Sequence, residues 1–101
     1  MSKKRTGEQK SLARLEEILS GEYVSMRRNV IYHTVKGDGE IDLLCKRSDG
    51  LYDVYEVKST GHKRAIKRAH AQLDNILERK PYKIGNLFVY VSCTGELTKY
   101  V

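Results

Sequence analysis

Apolar spacing divides the chain into four kinds of segment. Between Thr6 and Gly21, Leu12, Leu15 and Leu19 recur at helical spacing, and Ile18 widens the stripe. This pattern predicts a helix with one face turned to a core. Thr6 and Gln9 are spaced as a capping box at its start, and Gly21 stands where a glycine closes a helix just past Ser20. From Tyr23 to Val35 the chain is rich in Val, Ile, Tyr and Thr, a strand composition broken at Arg27-Arg28-Asn29. Lys36-Gly37-Asp38-Gly39 reads as a turn, and Glu40 to Lys46 and Leu51 to Lys58 read as two further strands of an antiparallel meander. After Lys58 the spacing returns to that of a helix, with Ile66, Ala69, Leu73, Ile76 and Leu77 on one side and Ser59 or Thr60 available as its cap.

Pro81 to Asn86 then breaks the chain before Leu87-Phe88-Val89-Tyr90-Val91, a continuous apolar run that suits a strand covered on both faces. A strand-helix-strand crossover makes this last strand parallel to the third. Thr94 to Val101 is a short edge strand or a tail. The order helix, three strands, helix, strand predicts an α/β fold, a mixed four-stranded sheet flanked by helices.

The central hairpin carries the chemistry. With Ser48-Asp49-Gly50 as a loop closed by a left-handed glycine, Arg47 pairs with Leu51, and counting back places Asp42 opposite Glu56. Side chains at that separation have Cβ atoms roughly 4.5–5.5 Å apart, and two acids there repel unless something offsets them. A divalent cation would do so. Lys58 lies two residues past Glu56 and shares its strand face, so two acids and an ammonium meet in one patch. Taken singly, Glu56 and Lys58 also suit the exposed face of an edge strand.

Charge adds to this picture. The 101 residues carry 19 Lys+Arg against 13 Asp+Glu, a net charge of +6, and suffice for one domain with a single core. Such an excess favours polyanionic partners, nucleic acid first among them. Lys63, Arg64, Lys67 and Arg68 crowd the first turns of the second helix, directly after the strand of Glu56 and Lys58. A phosphate backbone crossing the patch would meet them, and Arg27, Arg28 and the basic arm of residues 1–5, with Lys3, Lys4 and Arg5, extend the track. Their plainer role is a solvated helix face. His33, His62 and His70 lack metal-ligand spacing and read as surface residues, while Tyr32, Tyr52 and Tyr55 suit sheet packing better than base stacking. Cys45 and Cys93 lie in apolar stretches and read as reduced core residues. No apolar run reaches the roughly 18–20 residues of a membrane span, and the start of the chain lacks a signal-peptide core, so a cytoplasmic, DNA-associated protein with no membrane partner is expected.

This element order, with Gly39-Glu40-Ile41-Asp42 and Glu56-Val57-Lys58, resembles the PD-(D/E)xK nuclease superfamily, most nearly its archaeal-type Holliday junction resolvases, over residues 6 to 92. The resemblance implies an αβββαβ restriction-endonuclease-like core and a catalytic set of an acid on the first helix, an aspartate on the second strand and acid-x-lysine on the third. Here these fall on Glu8, Asp42, Glu56 and Lys58, with Glu16 the competing acid on the first helix. Ile41 stands where the family name has proline. The resemblance further implies that the backbone carbonyl of Val57 joins Asp42 and Glu56 as a ligand, that Glu8 completes the ligand set or holds a water, and that Gln72 on the second helix lies near the substrate. Glu8 alone also suits a helix start, where an acid complements the dipole.

Hard oxygen ligands suit Mg²⁺, with Mn²⁺ as a substitute. Lys58 would orient the attacking water or stabilise charge on phosphorus. Three functions follow: a resolvase-type endodeoxyribonuclease acting on branched DNA as a homodimer, a repair, restriction or single-strand nuclease of the same superfamily, and a non-catalytic nucleic-acid-binding module.

Overall fold

The computed structural model describes residues 6–100, and side chains from Gly7 onward. The basic arm with Lys3, Lys4 and Arg5, and the Thr6 hydroxyl expected to cap the first helix, lie outside the described residues. The elements are α1 (Thr6–Ile18), β1 (Ser25–Thr34), β2 (Gly37–Lys46), β3 (Tyr52–Lys58), α2 (Lys63–Arg79), β4 (Ile84–Val91) and β5 (Glu96–Lys99). They form one sheet in the order β1-β2-β3-β4-β5, with β3 and β4 parallel and every other pair antiparallel. The expected mixed α/β core is present, and the segment after Thr94 supplies a fifth strand at the edge.

One helix covers each face of the sheet. Leu12, Leu15 and Leu19 pack on Leu43, Cys45, Tyr55, Val57 and Tyr90. On the other face, Ala69, Leu73 and Ile76 of α2 pack on Tyr32, Ile41, Leu44, Val54, Leu87, Val89 and Val91. β4 therefore feeds both layers, as its unbroken apolar run predicts. Ile18 stands 55% exposed and Leu77 38% exposed, so each of the two stripes is narrower than its spacing suggested.

Several boundaries differ from the sequence reading. The first turn is Val35-Lys36, and Gly37 to Gly39 belong to β2. Gly39 faces Tyr32 across the ladder, and a Cβ there would strike the Tyr32 ring, so the glycine makes room for an aromatic residue. Ser59 and Thr60 do not cap α2, which starts at Lys63 with His62 as N-cap and no side-chain cap bond. The segment before it still follows β3, because Cys93 N–H donates to the Ser59 carbonyl at 3.2 Å. Gln9 turns to Arg28, whose Nη1 donates to its Oε1 at 3.4 Å. Cys45 is buried as expected, whereas Cys93 is exposed because β4 ends at Val91; both thiols are free.

Candidate active site

The β2-β3 hairpin has the expected turn. Arg47 N–H donates to the Leu51 carbonyl at 2.8 Å, Gly50 N–H to the Arg47 carbonyl at 3.1 Å, and Leu51 N–H to Asp49 Oδ1 at 3.0 Å, with Gly50 at φ 88°. The ladder then runs Lys46↔Tyr52, Cys45↔Asp53, Leu44↔Val54 and Leu43↔Tyr55. One further step sets Asp42 across from Glu56.

At that step the ladder opens. Continued regularly, the register would bring Val57 N–H to the Ile41 carbonyl, but Val57 donates to Asp42 Oδ2 at 2.9 Å instead. The other side of β2 is interrupted at the same place. Arg28↔Leu43 and Val30↔Ile41 are paired, while Asn29, between them and opposite Asp42, stands outside the ladder at φ 52°. Asparagine adopts this left-handed conformation more readily than other side chains that carry a Cβ. The kink shifts the alternation of faces: Met26, Leu43 and Cys45 belong to the α1 layer, but Val30, Tyr32 and Ile41 to the α2 layer. Asp42 thus lies where β2 loses regular pairing on both sides.

Asp42 is 6% exposed and Glu56 1%, with both Glu56 oxygens buried. β3 is the middle strand of the sheet, so the exposed edge-strand face is not where Glu56 lies. Val54 packs in the α2 layer and Tyr55 and Val57 in the α1 layer, which by alternation turns Glu56 and Lys58 to the α2 side. Lys58, half-buried, ends the strand. A buried ionised carboxylate is costly unless paired, hydrogen-bonded or bound to metal. The donor set is all hard oxygen, and Mg²⁺ is commonly held by one or two carboxylates together with water and substrate phosphate, so the residues fit such an ion. Among the described residues no three His, Cys, Asp or Glu side chains form a group that could hold a metal.

The first-helix acids divide clearly. Glu16 receives Arg28 through Nε at 3.0 Å and through Nη2, which commits both residues to tying α1 to β1. Glu8 stays half-exposed in the first turn of α1. Arg27, Lys63, Arg64, Lys67, Arg68 and Gln72 are exposed. His33 and His62 are exposed, and His70 stacks on Tyr100 with ring centroids 4.6 Å apart. Tyr32 and Tyr55 are core residues, and Tyr52 packs on Tyr82. Sequence reading passed over the placement of Asn29. Its signal was the break at Arg27-Arg28-Asn29, but the partner of that break could not be located with the turn misplaced.

No family model matches the chain, and no curated protein sequence matches it. Among solved structures the chain is similar to one in the EndoMS-dsDNA2 complex, with a TM-score of 0.45, 18% identity, and coverage of 90% of this chain and 37% of that one. The chain thus spans well under half the length of that neighbour.

Proposed function

We propose that the protein is a metal-dependent nuclease that hydrolyses phosphodiester bonds of DNA, with Asp42, Glu56 and Lys58 at its centre. The observation that carries this reading is the split in the sheet, where Asp42 takes the Val57 N–H and lies in register with Glu56, a carboxylate buried in the middle strand. In this reading Asp42, Glu56 and the Val57 carbonyl hold Mg²⁺ or Mn²⁺, which when bound would withdraw charge from the scissile phosphodiester. Lys58 Nζ donates to the attacking water or to a phosphate oxygen as negative charge grows there. Glu8 holds a water at the margin of the site. Lys63, Arg64, Lys67, Arg68 and Arg27 bind backbone phosphates without reading sequence, and Gln72 lies along the same helix. The protein would work in the cytoplasm, associated with DNA. No helix among the described residues is long and apolar enough to cross a membrane.

The finer reading is a resolvase acting on branched DNA as a homodimer, since symmetric cutting of two strands asks for two sites related by a two-fold axis. The test is cleavage of labelled four-way junction, linear duplex and single-stranded DNA with Mg²⁺ or with EDTA, comparing the native chain with Asp42→Ala and Glu56→Gln. Metal-dependent cutting that both variants lose supports a nuclease. Preference for the junction, with a dimer in sedimentation, supports a resolvase. Tight binding without cutting in Mg²⁺ or Mn²⁺ refutes the enzyme and leaves a binding module.

A further inference from the structure

At the carboxyl ends of β3 and β4 lies a pocket of about 490 Å³ that the carboxylate pair does not use, lined by Gly7, Lys10, Ser11, Arg14, Ser59 and Ser92. Its wall comes from three places in the sequence. Gly7, Lys10, Ser11 and Arg14 are spaced i, i+3, i+4 and i+7 on α1, so they share one face of the helix. Ser59 and Ser92 are the residues that follow β3 and β4. The two strand ends are tied together, Ser92 N–H donating to the Lys58 carbonyl at 2.9 Å. Among the described residues no acidic side chain lines the pocket, and Lys10 and Arg14 stand exposed at its rim.

The hydroxyls are arranged as a switchable donor. Ser11 is 6% exposed, with its Oγ 2.9 Å from the Gly7 carbonyl and 2.7 Å from Ser92 Oγ. A hydroxyl has one proton to give. If Ser11 gives it to Gly7, Ser92 must donate to Ser11 and can only accept from the pocket. If Ser11 gives it to Ser92, the Ser92 proton is released toward whatever lies in the pocket. An anion selects the second arrangement. Two cations, a releasable hydroxyl and a further serine match the several acceptor oxygens of one phosphate group.

We propose that this pocket binds a phosphate of the nucleic-acid substrate, next to the one attacked, and so fixes the strand relative to Lys58; this rests on the reading of the chain as a DNA-acting nuclease. Ser59 follows Lys58 directly in the chain; Lys58 turns to the α2 side and the pocket opens on the α1 side, so a strand that reaches both must pass over the carboxyl end of β3. The phosphate can be an internal diester or a terminal monoester, and the chemistry of the pocket serves both.

Gly7 gives the test. A Cβ added there would meet no atom of the described residues within 4 Å, so a side chain at this position starts in open space. An acid in the first helical turn also favours the helix dipole, so Gly7→Glu keeps α1 while placing a negative charge at the pocket. In EDTA, so that no strand is cut, inorganic phosphate is titrated into the native chain and amide shifts are followed by NMR. Binding of oligonucleotides with and without a 5′-phosphate is measured against salt for the native chain, Gly7→Glu and Arg14→Gln.

Saturable shifts at Gly7, Ser11, Ser59 and Ser92 are expected, absent in Gly7→Glu. DNA affinity should fall on the order of tenfold in Gly7→Glu and Arg14→Gln, and the salt slope should drop by about 1 in Arg14→Gln. A loss confined to 5′-phosphorylated DNA identifies the terminal monoester, and a loss on both identifies the diester. Shifts confined to the first turns of α2, or native DNA affinity in Gly7→Glu with its melting temperature unchanged, overturn the proposal. Failure of the nuclease reading is seen separately: phosphate shifts and DNA binding then persist in a chain that cuts nothing with Mg²⁺ or Mn²⁺.

Discussion

Asp42 is the acid the proposed chemistry needs and also the acceptor that closes the gap between β2 and β3, so two substitutions at this one position separate the roles. Asp42→Asn keeps a carbonyl oxygen for the Val57 N–H, which Asp42 Oδ2 now accepts at 2.9 Å. It gives up only the charge, and the lost repulsion between acids set across a sheet offsets the weaker acceptor. Its stability should stay within about 1 kcal/mol of the native chain. Asp42→Ala leaves the N–H of Val57, a residue 2% exposed, without that acceptor. An unsatisfied buried N–H costs about 1–3 kcal/mol. At about 4–8 °C per kcal/mol for a domain near this size, Asp42→Ala should melt roughly 5–20 °C below the native chain. Both variants should lose metal-dependent cleavage by about a hundredfold or more, the scale of removing one electrostatic group from a transition state. Thermal melts followed by circular dichroism and a nicking assay with Mg²⁺ read the two effects apart. Equal melting of the Ala and Asn variants would show that the Val57 bond carries no stability. Native-like cutting by Asp42→Asn would remove Asp42 from the chemistry.

Other consequences are as direct. Mg²⁺ at a hundred times its dissociation constant should raise stability by about 2.7 kcal/mol, and this rise should vanish in Asp42→Asn; a melting temperature indifferent to Mg²⁺ speaks against a metal at this pair. Burial, with Asp53 nearby, raises the Cys45 thiol from 9.0 to about 12, and burial raises the Tyr55 hydroxyl from 10.0 to about 12. Their protonated forms stabilise the fold fully below about pH 9 and this is lost as pH climbs toward 12, about 4 kcal/mol by pH 11; urea midpoints that stay flat from pH 8 to 11 would contradict it. Lys80 closes α2 at φ 50°, its N–H on the Ile76 carbonyl, so Lys80→Gly should raise stability by about 0.5–1 kcal/mol, and a lower melting temperature would refute this. Gly39→Ala should cost about 1–3 kcal/mol because the new methyl meets the Tyr32 ring, and unchanged urea unfolding would show that the ring simply moves aside.

The parts of the fold legible in the sequence are those where a local rule and the core ask for the same thing. Ser48-Asp49-Gly50 makes its turn because Gly50 takes φ 88° and Asp49 Oδ1 receives Leu51 N–H, so the register back to Asp42 could be counted. Leu12, Leu15 and Leu19 pack as their spacing requires. Misreadings arose where tertiary contact overrides local preference. Gly37-Asp38-Gly39 has turn composition, yet Tyr32 needs the space above Gly39 and draws these residues into β2. That same misplacement hid Asn29, since only the true turn at Val35-Lys36 brings Asn29 opposite Asp42. Ser11 and Ser92 were illegible for another reason: their contact joins residues 81 apart, and serine on a helix carries no signal of what it will meet.

The placement of the candidate centre follows from a conflict that a regular sheet cannot resolve. Two acids opposite one another on neighbouring strands repel, and here both are buried in a sheet with a helix on each face. The chain answers by giving up regular pairing at one residue. Asn29 leaves the ladder on one side of β2, and on the other the Asp42 carboxylate takes the Val57 amide that would otherwise go to Ile41. Because that amide is satisfied by a side chain, the strands can part without leaving it bare. The β1-β2 ladder resumes beyond the break at Val30↔Ile41, whereas the β2-β3 ladder ends at Leu43↔Tyr55, so β2 stays joined to β1 while it parts from β3. A break placed in this way holds an acid inside the sheet yet at the end of its pairing with β3, close to the strand end where Lys58 and the basic turns of α2 begin. In such a fold the residue that interrupts the sheet and the residue that would do the chemistry are the same one.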